Sequence, residues 1–397
     1  MFWSFPDGLP PARTSGVVLG WTGCGLLLSS LLLMLRETRL TNWLGGLERT
    51  YRWHHWSGFA AYVVLLAHPL ALASEAWPEA PVEAWQTLSP FSESWPVWSG
   101  WLSLVFLMAG LGATFERRLP YRTRRWLHTA LGGGVVLGLV HLLLLGVDEP
   151  VELFMALAVF LLTWRAIRDD WGFGARPYMV KSSRSVAEGT VEIALLPLAD
   201  PIDAAPGQFV LVAFSAGPRF QGCGEFHPFT VSAIDGNGLI RVAVKALGDC
   251  TRRIQSVVPG TPVRIQGAFG ALFADRLSAP ELWVAGGMGV TPFLALLRSA
   301  RVTAPTTLLY LYRALADAAF LTELQALARA NPQFSLHAVA TGSKLPDLNA
   351  VLPDIKWLAG RECYVAGPPG LIDSVKHVLR DRGVMPSRIH FENVQGL

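Results

Sequence analysis

The chain has 397 residues, enough for two or three domains, and 33 Lys+Arg against 30 Asp+Glu give a net charge of +3. Half of it is hydrophobic (51%), only 16% is charged and 15 residues are tryptophan, which excludes an ordinary soluble enzyme. The small net charge offers no electrostatic argument for nucleic acid, and none is expected as a partner. Four cysteines with no CxxC pair and no zinc-like spacing give no expectation of a disulfide framework or a cysteine-held iron–sulfur cluster.

Residues 1–15 lack a basic segment followed by an apolar core, so no cleaved leader is expected. Five apolar segments follow, at Gly16–Leu35, His55–Ser74, Val97–Phe115, Trp126–Gly146 and Pro150–Thr163. A crossing takes about 20 apolar residues, so the last is short. Arg36, Arg39, Arg49 and Arg52 separate the first two segments, and Arg117, Arg118, Arg122, Arg124 and Arg125 the third and fourth. Arg165 and Arg168 follow the fifth. The alternate loops are acidic, with Glu75, Glu79, Glu83 and Glu93 in one and Asp148 and Glu149 in the other. The positive-inside rule puts the arginine loops and the C-terminal half in the cytoplasm and the N-terminus outside, in a multi-pass protein of the cell inner membrane. Trp77, Trp85, Trp95, Trp98 and Trp101 form an aromatic belt at the outer face.

Two of these segments carry histidines at both ends. His68 follows His54 by 14 residues and His55 by 13, and His141 follows His128 by 13. At ~1.5 Å per residue each pair spans about 20 Å, one imidazole near each membrane face. A step of 14 residues returns to within about 40° of the starting face while 13 misses by about 140°, which favours His54 over His55 as the mate of His68. Imidazoles are expensive in a bilayer, and four at matched depths on two helices predict two bis-histidine haem sites, His54–His128 and His68–His141. Gly132–Gly134, inside the second pair, is expected to allow a local twist or the approach of a macrocycle.

The stretch 168–177 reads as a linker. After it come short β-branched segments, "TVEIALL", "QFVLVAF", "HPFTVSA", "LIRVAVKAL" and "PVRIQG", separated by Gly and Pro turns, the pattern of an antiparallel barrel. From about Ala279, "LWVAGG", "TLLYLYR", "FSLHAVA" and "CYVAGPP" alternate with helical stretches, the pattern of a parallel α/β layer. The predicted fold is a membrane α-helical bundle (1–170), an antiparallel β-barrel (171–277) and an α/β nucleotide-binding domain (278–397).

"HPFTVSA" (227–233), "VKALGDCTRRI" (244–254) and "GGMGVTPFLALLR" (286–298) together resemble the ferredoxin–NADP reductase-like half of the NADPH oxidase / ferric reductase family, and the membrane histidines fit that family's haem domain. The resemblance implies FAD in the barrel, two b-type haems in the membrane and NADPH or NADH in the last domain. It also implies electron flow from NAD(P)H outward to oxygen, giving superoxide, with a ferric complex or a periplasmic partner protein as alternative acceptors.

Within it each motif has a physical reading. His227 would stand near the FAD diphosphate, Phe229 against the ring system and Thr230 at its polar edge, with Pro228 in the same cofactor-binding motif. Lys245, Gly248 and Thr251 belong to the second motif, where Gly248 allows close backbone approach, Thr251 supplies a hydroxyl for phosphate and Arg252 adds charge. Gly286, Gly287 and Gly289 would let a diphosphate reach backbone N–H groups at a helix start, with Thr291 as N-cap and Pro292 in the first turn. Arg313 is placed to reach a ribose 2′-phosphate. Gly367 and Pro368 complete a second nicotinamide motif in which Ala366 stands where the family has cysteine, while Cys363, three positions earlier, is expected to pack inside its strand. Two residues after Glu392 the family has an aromatic that stacks on the flavin; here the residue is Val394, which predicts activity without an activating partner protein.

Overall fold

The structure, a computed structural model, describes residues 8–91, 94–116, 121–147, 149–217, 219–274, 276–344 and 346–392. These form two units, one of the N-terminal segment to Leu35 plus Thr50–Trp171, the other of Arg36–Arg49 plus Gly172 onward.

The first unit is helical. Its helices are α1 (Pro11–Leu33), α3 (Leu47–Ala76), α4 (Pro81–Leu88), α5 (Trp95–Phe115), α6 (Tyr121–Leu144) and α7 (Val151–Arg165); the short α2 (Thr38–Trp43), between α1 and α3 in sequence, belongs to the second unit. Among the described residues, four helices are long and apolar enough to cross a membrane: Pro11–Leu33, Leu47–Ala76, Trp95–Thr114 and Trp126–Leu144. The fifth expected segment falls short, because α7 has 15 residues and then changes to a π-helical turn at Ala166–Asp170 carrying Arg168, Asp169 and Asp170. A core of Trp21, Leu28, Leu31, Leu139, Ala158 and Leu161 joins α1, α6 and α7. The outward faces are as apolar as the core: Trp53, Phe59, Val63 and Leu70 on α3, Val105 and Met108 on α5, and Leu153, Leu157 and Phe160 on α7 are all exposed. Water would not tolerate so large a bare apolar surface; lipid does.

Helix α6 runs unbroken through the glycine triplet. A Cβ at Gly132 would collide with Leu162 of α7, and one at Gly134 would crowd Phe106 and Leu107 of α5. The triplet lets three helices approach, and Ser103 of α5 adds a 2.7 Å bond to the Gly134 carbonyl.

The second unit begins with a closed six-stranded antiparallel barrel. Its strands are β1 (Arg176–Ala187), β2 (Thr190–Pro197), β3 (Phe209–Phe214), β4 (Cys223–Ile234), β5 (Ile240–Lys245) and β6 (Pro262–Phe269), in the order β1-β2-β5-β4-β3-β6. Inward side chains on alternate positions, among them Tyr178, Val180, Ile193, Leu195, Val210, Val212, Val242 and Ile265, fill it. β1 was not among the segments anticipated from the sequence. Helix α8 (Asp249–Ile254) follows β5.

A five-stranded parallel sheet completes the unit. Its strands are β7 (Glu281–Gly286), β8 (Thr306–Tyr312), β9 (Phe334–Ala340), β10 (Glu362–Ala366) and β11 (Ile389–Glu392), in the order β11-β10-β7-β8-β9. Helices α9 (Thr291–Arg298), α10 (Leu321–Ala330), α11 (Leu348–Val351), α12 (Ile355–Leu358) and α13 (Pro369–Asp381) connect the strands. β7 and β10 are neighbours at the centre, so the segments leaving their carboxyl ends meet, as they do at the ligand crevice of open α/β sheets.

Candidate functional site

In the membrane unit, each histidine-bearing helix is held by a neighbour. His54 and His68 lie on α3 and are met by α1, where Ser30 contacts the His54 Nδ1 through its hydroxyl (2.9 Å) and its carbonyl (2.8 Å). The His68 Nδ1 donates to the Gly16 carbonyl at 2.7 Å. His128 and His141 lie on α6 and are met by α5, through Thr114 Oγ1 (3.2 Å) and the Pro96 carbonyl (2.6 Å). All four rings therefore spend Nδ1 on a protein partner. A carbonyl acceptor fixes the proton on Nδ1 and leaves the Nε2 lone pair for a metal, the usual arrangement behind a ligating histidine.

Glycines make room for two of the rings. A Cβ at Gly20 of α1 would lie 3.1 Å from the His68 ring, and one at Gly100 of α5 would lie 3.0 Å from the His141 ring. His54 and His128 face each other with ring centres 6.1 Å apart and planes at 79°. His55 is exposed on α3 beside Trp56, with ring centres 6.1 Å apart. Ser30, Thr114, Gly16, Gly20, Pro96 and Gly100 were not legible as histidine partners from sequence alone.

In the barrel, β4 carries His227, Pro228, Phe229 and Thr230, paired with β3 so that Val212 faces His227 and Val210 faces Phe229. Phe229 is packed among the barrel's apolar residues, its ring 6.4 Å from that of His227. The Thr251 hydroxyl accepts from the Leu247 and Gly248 amides, both at 2.9 Å, and donates to the Gly248 carbonyl at 3.1 Å. It shapes the 246–248 turn before α8 instead of presenting a free hydroxyl. Arg252 pairs with Asp249 at 3.1 Å on the surface, and Lys245 with Asp317 at 3.0 Å.

The structure corrects the cysteine expectation. Cys223 opens β4 and Cys250 lies in α8; the two are bonded as a disulfide with Cα atoms 5.7 Å apart. The His227 Nε2 is 3.6 Å from the Cys223 Sγ, and the three ligand-type atoms all lie within 4.8 Å of one another. The 27 residues between the cysteines hid this meeting from any spacing argument. Cys363 is fully buried in its strand, where desolvation pushes its thiol up to about 12.

In the α/β part, Gly286 ends β7, Gly287–Val290 forms a 3₁₀ turn and Thr291 is the first residue of α9. Thr291 is therefore not the N-cap, a position taken by Val290; its hydroxyl donates to the Met288 carbonyl at 2.7 Å. Pro292 sits in the first turn, where its missing N–H leaves no bond unmade. Gly289 abuts Ala366, and a Cβ there would collide with the Ala366 carbonyl. Gly367, with φ +153°, lies against the Gly286 backbone. The two loops thus form one glycine-lined floor with Pro368 at the N-cap of α13. α9 packs on β4, which ties this floor to the HPFT strand. Arg313 is exposed just after β8. Val394 lies outside the described residues.

Residues 19–139 match the ferric reductase like transmembrane component and residues 179–282 an FAD-binding domain. Among relatives, the ferredoxin–NAD(P)(+) reductase component of the naphthalene 1,2-dioxygenase/salicylate 5-hydroxylase systems of Ralstonia sp is 27% identical over 52% of this chain and 66% of its own length. Human NADPH oxidase 3 is 33% identical over 24% of this chain and 18% of its own length. The chain thus spans less than two thirds of either relative. Flavohemoglobin from Malassezia yamatoensis shares the fold, with a TM-score of 0.51, 16% identity and coverage of 97% of this chain and 99% of that one. These matches support a ferric reductase-like transmembrane segment followed by an FAD-binding, ferredoxin reductase-like segment. The relatives it resembles are flavin-dependent oxidoreductases.

Proposed function

We propose that the protein is a transmembrane NAD(P)H oxidase that draws electrons from cytosolic NAD(P)H and delivers them to oxygen on the outer face, giving superoxide. The observation that carries this reading is the set of four membrane imidazoles, each anchored through Nδ1. Two imidazoles sharing one metal at ~2 Å per bond have ring centres about 6 Å apart; His54 and His128 stand at 6.1 Å. The residues therefore fit a bis-histidine haem, and His68 and His141, backed by Gly20 and Gly100, are the second pair. When bound, FAD takes the two electrons of a hydride and the haems carry electrons singly across the bilayer.

The chain's own part is positioning. Gly286, Gly287, Gly289 and Gly367 would let a dinucleotide approach the backbone closely, and Arg313, exposed just after β8, would meet a 2′-phosphate. His227, Thr230 and the 246–251 turn would hold FAD, with α9 keeping β4 and the glycine floor together. The Ser30, Gly16 and Pro96 carbonyls would hold the proton on Nδ1 of His54, His68 and His141, and the Thr114 hydroxyl contacts Nδ1 of His128. The arginine-rich segments support a cytoplasmic C-terminal half in the cell inner membrane, provided that α7 also crosses. Its 15 residues and the 5 π-helical ones that continue it supply about 30 Å at most.

The test is one optical spectrum of detergent-purified protein before and after NADPH, with superoxide and ferric-reduction assays on the same sample. A reduced haem band with superoxide formation supports the reading. A reduced haem band with electrons going only to ferric complexes would make it a ferric reductase, and absence of any haem band would refute the membrane route.

A further inference from the structure

The cysteine pair sits where the two FAD-contacting segments of the barrel meet. Cys223 precedes His227 by four residues on β4, and Cys250 is the residue before Thr251, whose hydroxyl shapes the 246–248 turn. The Cα separation of 5.7 Å lies inside the range that a disulfide can bridge without moving backbone. The other two cysteines cannot compete for either partner. Cys24 lies in the apolar helix α1 of the other unit, and Cys363 is enclosed in the α/β sheet with its thiol protonated.

We infer that Cys223 and Cys250 are a reversible redox pair whose disulfide clamps the 246–251 turn to the HPFT strand and so sets how tightly FAD is held. The inference rests on the reading of that strand and turn as the FAD site. In a reducing cytoplasm a bridge is a regulatory bond, made and broken, and not a standing staple. The oxidant is hydrogen peroxide, the product to which superoxide dismutates. The thiolate of Cys250, the less buried of the two, attacks the O–O bond; one oxygen leaves as water after protonation and a sulfenic acid remains. The Cys223 thiol then displaces the second oxygen as water, so two thiols and one peroxide become one disulfide and two waters. His227, 3.6 Å from Cys223, is placed to take the thiol proton during the second step. A dithiol reverses the bond by exchange and is itself oxidised to a disulfide. The linked state fixes strand and turn before FAD arrives, so less ordering is left for binding to supply, and FAD is held more tightly when the pair is oxidised.

The experiment uses the full chain in detergent, treated with hydrogen peroxide or with dithiothreitol. Peptide mapping after alkylation should show a Cys223–Cys250 cross-link only in the oxidised sample. FAD release on dilution, followed by flavin fluorescence, should be about threefold or more slower in that sample. Cys223→Ser and Cys250→Ser should each match the reduced wild type under both treatments, while Cys363→Ser should respond as wild type does. Equal FAD release in both states, with the cross-link demonstrated, overturns the inference alone. No FAD bound in either state overturns the reading of the site and this inference with it. Stoichiometric tightly held zinc, with both thiols protected from alkylation and from peroxide, overturns it in favour of a Cys–His–Cys metal site.

Discussion

His54 and His128 face each other across α3 and α6 with ring centres 6.1 Å apart and planes 79° to one another. Nothing in the packing of two apolar helices calls for this. Two neutral imidazoles in lipid gain little from mutual contact, and a leucine pair would fill the space without a polar group to satisfy. The Ser30 and Thr114 contacts at the two Nδ1 atoms answer one polar demand of each ring and leave the other to a metal. His128→Ala should therefore remove roughly half of the haem, on the premise of two sites of equal occupancy, and stop flavin-to-haem transfer while FAD remains bound. His54→Ala should do the same. His55→Ala should be mild, since that ring is exposed beside Trp56. Haem per FAD, measured on purified variants, checks all three; a full complement in His128→Ala would sink the assignment.

The second pair gives a subtler test. Gly100 has no Cβ where the His141 ring passes, and adding one places it 3.0 Å from Cε1 and Nδ1. Gly100→Ala should push the imidazole off its 2.6 Å bond to the Pro96 carbonyl. Partners behind a ligating histidine change metal affinity about 10- to 100-fold when lost, so this site's haem should become partly depleted or shifted in potential while His54–His128 is untouched. Gly25→Ala on α1, where a Cβ would meet nothing within 4 Å, serves as the matched control. Potentiometric titration should resolve one altered and one unaltered component; two unaltered components would remove Gly100 from the argument.

Much of this was legible beforehand because histidine in an apolar run is conspicuous, and because the helical repeat chooses between two adjacent residues. The turn of His54 inward and His55 outward follows that repeat. The partners were illegible for the converse reason. Serine, threonine and glycine are common in membrane helices, and only the antiparallel register of α1 on α3 shows that Gly16 and Ser30 meet His68 and His54. The same holds in the soluble half. β-branched runs marked most strands, but β1, with "SSRS" in its middle, reads as a loop until it pairs with β2 and β6. The Thr291 expectation failed because a 3₁₀ turn at Gly287–Val290 moves the true cap one residue back.

The floor of the α/β crevice yields a third prediction. β7 and β10 are adjacent parallel strands, and Gly289 lies directly against the Ala366 carbonyl. A methyl there has backbone, not a flexible side chain, in its way, so Gly289→Ala should force the two loops apart. NADPH-driven flavin reduction should fall at least tenfold, mainly through KM, because the amides that would meet the diphosphate move. Reduction by dithionite, which needs no nucleotide site, should proceed as in wild type. If NADPH still reduces the flavin at the original rate with the original KM, the nucleotide lies elsewhere.

The fourth concerns how the barrel and the sheet stay joined. Arg298, at the end of α9, donates to Glu192 of β2 at 2.6 Å, to Glu323 of α10 at 2.7 Å and to the Ser232 carbonyl of β4 at 3.1 Å. Its side chain is 13% exposed and that of Glu192 2%. Burial alone would raise the Glu192 carboxyl, but hydrogen bonds from Arg298, Ser232 and Arg184 outweigh it and hold the group below its ordinary 4.5. Glu323 is lowered in the same way: burial raises it, and the Arg298 hydrogen bond more than offsets that. A carboxyl whose folded pKa is depressed adds stability that is complete above 4.5 and drains away as pH falls through the lower folded value. Acidification from about pH 6 to pH 3 should therefore lower the melting temperature of the barrel and sheet. Arg298→Ala leaves Glu192 buried with Arg184 as its remaining cation and should cost about 3–5 kcal/mol, as broken buried pairs do. It should also flatten the acid limb, because the Glu192 and Glu323 carboxyls then rise back toward their unfolded values and bind protons alike in both states. Thermal melts of wild type and variant across that pH range test both statements. A variant equally stable at pH 7, or one with an undiminished acid limb, would show that Arg298 does not hold the two halves together through its carboxylates.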